Sequence, residues 1–321
     1  MVGRFHMFGV LIIPFIMVWM AYGKKGFKGI LPYLTFAGVS TCLVMFVLSN
    51  FVGAEVTSMG TGLISILLSV AYVKLVDVKT PDEFRNKEEA RARKYSSFQA
   101  MSPYIYMLVL LPLVRYGFPA VVPNGFAVMC TFGYIFWVDL VILVCGMLGA
   151  ATLGVSRKTY GAVCKRTVGH VAPVLVTMGS LLVVAYIMQS PSTGMMNLLA
   201  SDIASVVGKF YPAAAVLIGS SGAFITGTGL GSNIMFADMH LQAAEALSMN
   251  PITIFAGQNA GASLGNLICP NNTVAACATV DQIGNESDVM KKTLKAFAII
   301  LCMYMVLAML YTCLLFPNFG M

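Results

Sequence analysis

The chain has 321 residues, of which 58% are apolar and only 10% charged, and its mean hydropathy is +0.83. That balance excludes an ordinary soluble globular domain and points to an integral membrane protein. The net charge of +7 is not a nucleic-acid footprint, because the basic residues are confined to a few connections between long apolar runs.

Those runs cover roughly 7–22, 30–49, 56–73, 99–114, 126–155, 169–189, 211–285 and 296–316. A crossing needs ~20 residues, and no run alternates as a barrel strand does. The expected fold is therefore all-α and polytopic, with about eight spans. The expected organisation is a three-span segment over 1–75, a charged cytoplasmic loop over 76–98, three spans and an outer amphipathic helix over 99–210, an interrupted region over 211–285 and a last span over 286–321. Basic residues mark the cytoplasmic side. Lys24, Lys25 and Lys28, the block from Lys74 to Lys94, Arg157 to Arg166, and Lys291, Lys292 and Lys295 hold 17 of the 20 Lys and Arg, leaving Arg4, Arg115 and Lys209 opposite. This split places the protein in the cell membrane with both termini outside. No cleavable signal peptide is expected, since the first run lacks a basic leader and a small-residue cleavage site.

Taken in order, the first run carries Pro14 and Trp19, and Ser49-Asn-Phe-Val-Gly-Ala-Glu55 reads as a tight outer turn. Pro103 and Pro112 kink the fourth span or mark its ends. Asp139 falls in a 30-residue apolar run, too long for one perpendicular crossing, so it lies either at the outer interface or within the membrane. Between Ser190 and Phe210, Met195, Met196, Leu198, Leu199, Ile203, Val206 and Val207 form an apolar stripe, as in a helix lying on the membrane surface. The eight cysteines form no CxxC pair and the three histidines have no metal-ligand spacing. Hence neither a metal nor another cofactor is expected, and no nucleophile–base pair suggests an enzyme.

The run 211–285 is broken twice. Thr226-Gly-Thr-Gly-Leu-Gly-Ser-Asn233 interrupts it first, and Gly265-Asn-Leu-Ile-Cys-Pro-Asn-Asn-Thr273 interrupts it again. Unpaired backbone in hydrocarbon costs several kcal/mol, so non-helical backbone at membrane depth survives only inside protein or beside water. Two nearby breaks are the mark of a transporter binding site. The expected parts are a re-entrant hairpin with arms 211–225 and 232–248, and a broken helix with halves 252–267 and 274–283. Ser232 or Asn233 is expected to cap the second arm, and Asn271, Asn272 or Thr273 the second half-helix. The helix N-termini so formed would face a small carboxylate. The expected substrate-binding set is Thr226, Gly227, Thr228, Ser232, Asn233, Asn266, Asn271, Asn272 and Thr273. Asp238, Asp139 and His240 are the candidates for a coupled proton.

The same segments carry a family resemblance. Phe224-Ile-Thr-Gly-Thr-Gly-Leu-Gly-Ser-Asn-Ile-Met-Phe236, the segment Ala256 to Ala278, Gly284-Asn-Glu-Ser-Asp288 and Leu48-Ser-Asn-Phe-Val-Gly-Ala-Glu55 resemble, collinearly, motifs of the L-lactate permease family. The resemblance implies a proton symporter for lactate, glycolate and related 2-hydroxy monocarboxylates, related to carriers built from inverted repeats that each hold a hairpin and a broken helix. It covers the family's C-terminal half only. A second copy or a partner chain supplying an N-terminal half is therefore expected, alongside membrane lipid as solvent. The chain departs from the family pattern at Gly229, where some members have Asp, at Asn266, where some have Lys, and at Cys269, which stands for Ser. Two other readings remain open: a non-transporting fragment or accessory subunit of a split permease, and a sodium-coupled carrier for another organic anion.

Overall fold

The computed structural model describes residues 1–76, 95–131, 134–190, 192, 194–279, 282 and 284–320. Most of the charged loop expected over 76–98, and Asp281, lie outside the described residues. The described residues are mostly helical, and there is no strand among them. Among the described residues six stretches are long and apolar enough to cross a membrane: Val2–Phe27, Leu31–Val52, Val56–Leu75, Ser97–Val121, Leu198–Thr226 and Glu286–Leu315. A shorter apolar helix covers Trp137–Thr152. The protein is an all-α polytopic membrane protein.

The helices divide between two units, Tyr22–Val171 and Met1–Ala21 with Ala172–Met321. In the first, α2 (Leu31–Val47) opens with Pro32 in its first turn, where the missing N–H is not needed. It runs into a π-helical turn, Leu48–Val52. The tight turn expected at 49–55 is thus a π turn closed by Gly53, whose φ of 146° favours glycine, and α3 (Ala54–Leu75) follows. A reciprocal Ser96–Gln99 capping box starts α4 (Ser97–Pro112), satisfying two orphan donors at once. Pro103 lies inside that helix, and Pro112 ends it at a second π turn, Leu113–Gly117. Within the 30-residue run lie α6 (Gly125–Thr131) and α7 (Tyr134–Thr152), after the single-turn α5 (Phe118–Val121). Leu111, Val141 and Cys145 form this unit's core, and Tyr106 Oη sits 2.7 Å from Thr152 Oγ1. The long helix α8 (Arg157–Gln189) contains the run expected at 169–189.

In the second unit, α1 (Val2–Tyr22) is joined by α9 (Met195–Val207), α10 (Tyr211–Thr226), α11 (Gly229–Ala246), α12 (Pro251–Ile268), α13 (Pro270–Thr279) and α14 (Glu286–Leu310). Phe5 of α1 packs edge-on against Tyr304 and Tyr311 at centroid distances of 6.2 and 5.0 Å. Val216, Ala256, Ala260, Leu264, Ile300 and Ala308 complete that core. A second cluster joins Ala200 and Ala204 of α9 to Tyr211, Ala215, Met239, Ala243, Ala244 and Ile254. The helix expected before the hairpin therefore forms; Ala200 and Ala204, with Ile203 of the expected stripe, make its contacts, and Leu198 and Val206 of that stripe are exposed. In lipid, small residues mediate helix packing while large apolar ones face the solvent. Asn250 fixes the start of α12: its Oδ1 accepts from the N–H of Ile252 at 2.9 Å, and its Nδ2 donates to Phe319 O at 2.9 Å.

Candidate functional site

The hairpin turn follows from three consecutive residues. Gly227 takes φ 76° and ends α10, its N–H reaching Ala223 O at 2.9 Å. This left-handed cap suits a residue without Cβ. Thr226 Oγ1 lies 2.9 Å from both Gly222 O and Thr228 O. Thr228 is extended, and its Oγ1 accepts from the N–H groups of Leu230 at 3.0 Å and Gly231 at 3.4 Å. The cap of the second arm is therefore Thr228, not Ser232 or Asn233 as expected. The arm begins three residues earlier because the Thr228 hydroxyl already satisfies its first donors.

The broken helix is interrupted at one residue. Cys269 is extended, φ −65° and ψ 128°, because Pro270 disfavours the α conformation in the residue before it. Pro270 then occupies the first position of α13, where its fixed φ suits a helix start. Asn271, Asn272 and Thr273 are consequently in the first turn rather than at the cap, and the second half-helix begins at 270 rather than 274. The N–H and Oγ1 of Thr273 both reach back to Cys269 O at 3.1 Å.

These two breaks meet. Asn272 Nδ2 donates to Gly227 O at 3.5 Å and to Asn266 O at 3.2 Å, so one side chain ties the hairpin turn to the end of α12. A Cβ built on Gly227 would lie 3.5 Å from Asn271 Nδ2 and 3.7 Å from Cys269 Sγ, and one on Gly229 would lie 3.7 Å from Asn266 Nδ2. Thr226, Gly227, Thr228, Gly229, Asn266, Asn271 and Asn272 thus come together, with the N-termini of α11 and α13 beside them. Asn271 and Asn272 are exposed, and Thr273 is buried. Asn266 Oδ1 is buried without a hydrogen-bond partner among the described residues. An acceptor held out of water this way costs about 1–3 kcal/mol, a cost that a donor on a ligand would relieve.

Ser232 is placed differently. It is fully buried, with its hydroxyl donating to Gly219 O at 2.8 Å and accepting from Gln258 Nε2 at 3.0 Å. Gln258 Oε1 lies 2.9 Å from His240 Nε2, and His240 Nδ1 lies 2.9 Å from Tyr211 Oη. Every donor finds an acceptor if the proton of a neutral His240 is on Nε2 and Tyr211 donates to Nδ1. Asn233 Oδ1 sits 3.5 Å from the same Gln258 amide. Sequence reasoning missed Gln258, an amide in a Gly- and Ala-rich apolar helix, which is its one visible signal. Of the other acids, Asp238 is half-buried on α11, Asp139 is exposed on α7 in the other unit, and Glu245 is exposed. Among the described residues no group of three His, Cys, Asp or Glu is arranged to hold a metal ion.

The breaks are held in register by close packing of α10 on α12. Gly257, Gly261 and Gly265 recur at four-residue spacing along α12. A Cβ on Gly261 would land on the Val216 carbonyl, one on Gly265 on the Ser220 carbonyl, and one on Gly219 of α10 on the Gln258 carbonyl. These three glycines therefore serve backbone approach between helices, whereas Gly227 and Gly229 face the asparagines.

Apolar helices long enough to cross a membrane, with two interruptions brought together, define the class as a polytopic membrane protein with broken helices. The chain belongs to the L-lactate permease family, whose model matches residues 1–125 and 117–315. It is 24% identical over 355 residues to an L-lactate permease of Bacillus subtilis, covering 92% of this chain and 61% of that protein. It is 26% identical over 270 residues to an L-lactate permease of Streptococcus iniae, covering 78% and 55%. With the glycolate permease GlcA of Escherichia coli it shares 22% identity over 345 residues, covering 92% and 61%. The chain thus spans roughly three-fifths of the length of these curated relatives. No solved structure matches it.

Proposed function

We propose that this chain carries, or forms part of a carrier for, a small 2-hydroxy monocarboxylate such as lactate or glycolate across the cell membrane together with protons. The observation that supports this reading is the Asn272 bridge between the hairpin turn and the end of α12. It gathers amide and hydroxyl groups beside two helix N-termini, where a carboxylate is stabilised without a buried cation. The names of the relatives supply the substrate class. Thr226, Gly227, Thr228, Asn266, Asn271 and Asn272 contact the anion in this proposal, with Asn233 at the edge. Ser232 and Thr273 hold the two turns from behind. Asp238, half-buried on the hairpin's second arm, is the first candidate for the coupled proton. Asp139 and His240 follow, His240 less favoured because its ring is engaged on both nitrogens.

The basic-residue split supports an orientation with both termini outside. Because the relatives are longer, the transporting unit is proposed to include further sequence, contributed by the same polypeptide, by a partner chain or by a second copy. Proteoliposomes test the proposal. Labelled lactate enters faster under an inward proton gradient, and Asn272→Leu abolishes the effect. Uptake driven by sodium instead, or indifferent to both the gradient and the substitution, overturns it.

A further inference from the structure

Outside the site, a cavity of about 290 Å³ opens between the C-terminal end of α1 and the N-terminal turns of α14, lined by Trp19, Met20, Lys292 and Lys295. The two helices run antiparallel, since Phe5 meets Tyr304 at their other ends. We infer that this cavity binds the phosphate headgroup of an anionic phospholipid. Three observations converge. First, the lysines differ in their engagement. Lys291 pairs with Asp288 at 3.1 Å, whereas among the described residues no carboxylate lies within ion-pair distance of Lys292 or Lys295. The two sit at i and i+3 on one face, so both ammonium groups reach the same space. Second, the walls are mixed: Trp19 and Met20 supply apolar surface and an indole N–H, the combination that suits the membrane–water boundary.

Third, both lining faces continue as exposed apolar tracks. On α1, Met17 is 64% and Ile13 38% exposed, on the face that presents Met20. On α14, Ile299 is 46% and Val306 59% exposed, on the face that presents the lysines. A headgroup between the lysines therefore has a path for its acyl chains along both helices. A free phosphate uses the charges but leaves the tracks uncovered, so the structure favours a lipid. The assignment does not depend on the proposed substrate, because neither lysine belongs to the hairpin or the broken helix.

The test reads Trp19 fluorescence in a Trp137→Phe background, since the chain has only two tryptophans. The protein is reconstituted into phosphatidylcholine vesicles doped with brominated phosphatidylglycerol or brominated phosphatidylcholine. Quenching by the brominated phosphatidylglycerol should exceed that by the brominated phosphatidylcholine. The preference should fall about 30-fold in K292Q/K295Q, at roughly fivefold per lysine. K291Q should retain it, which separates the effect from general loss of charge or of fold. Equal quenching by the two lipids, or an unchanged preference in K292Q/K295Q, overturns the inference. So does displacement of the brominated lipid by millimolar inorganic phosphate, which would mark a soluble-anion site. A protein dimer whose formation protects Trp19 from both lipids would show that a second copy covers the face, and it too overturns the inference.

Discussion

Replacing Gly261 by alanine tests whether the site is set by the distance between α10 and α12. The added Cβ would lie 2.8 Å from the carbonyl carbon of Val216 and 3.0 Å from its Cα, whereas carbon atoms rest at roughly 3.5–4.0 Å. The nearest obstacle is the Val216 carbonyl oxygen, backbone inside a helix that the added Cβ would overlap, so no rotamer change relieves it, and the helices must part by roughly 1 Å. A gap of that size forfeits a quarter to a half of each dispersion contact across the interface, and overpacking of this kind costs about 1–3 kcal/mol. Alanine recovers about 1 kcal/mol of helix propensity, leaving a net loss of up to about 2 kcal/mol. Gly146 of α7 is the control, because a Cβ there meets nothing within 4 Å, and Gly146→Ala should be neutral or stabilising. The assay is the fraction of monodisperse protein in detergent after a temperature series. Gly261→Ala should lower the midpoint and Gly146→Ala should not. If the two variants shift it equally and in the same direction, the close-approach argument is wrong.

Other substitutions probe the breaks and the buried chain. Pro270→Ala releases Cys269 from its extended conformation and removes a residue that costs about 3 kcal/mol in a helix interior. Residues 251–279 should then join into one helix, visible as slowed hydrogen exchange at 269–271, while uptake falls at least tenfold. Gln258→Leu strands His240 Nε2 in the interior, while Ser232 Oγ keeps its bond to Gly219 O, and should cost about 1–3 kcal/mol in thermal stability for the one orphaned group. A matching change of His240 to leucine should be less damaging in that background than in the wild type. On the proposed reading, the buried oxygen of Asn266 accepts the substrate's 2-hydroxyl. Asn266→Leu should then lower the preference for lactate over propionate by about 5–150-fold, the equivalent of a 1–3 kcal/mol hydrogen bond. Competition uptake with the two acids measures it.

The interruptions were legible because glycine and proline act locally. Gly227 and Pro270 break helices whatever surrounds them, and the hairpin and broken helix form within a few residues of their expected bounds. The caps were less legible, because Thr228, Ser232 and Asn233 all have side chains able to satisfy a helix N-terminus, and only geometry selects among them. The glycines were ambiguous for a related reason. A string of small residues serves a ligand or a neighbouring helix equally well in sequence, and the structure divides them, Gly227 and Gly229 toward the asparagines and Gly219, Gly261 and Gly265 toward backbone. The Tyr211–His240–Gln258–Ser232 chain was invisible because its members are 18 to 29 residues apart and no local pattern announces such a pairing. On α9 the expected stripe is divided, with Leu198 and Val206 exposed and Ile203 packed beside Ala200 and Ala204.

The central claim is that amide groups at the two meeting interruptions hold a carboxylate. Solid-state NMR of the reconstituted protein, with carboxyl-13C lactate and 15N-labelled asparagine, measures this through dipolar coupling. A lactate carboxyl carbon is expected within about 4 Å of an asparagine nitrogen, as an N–H···O contact requires, with the signal lost when Asn266, Asn271 and Asn272 are all changed to leucine. Lactate that binds saturably with no such coupling, or with a coupling that survives those substitutions, would contradict it.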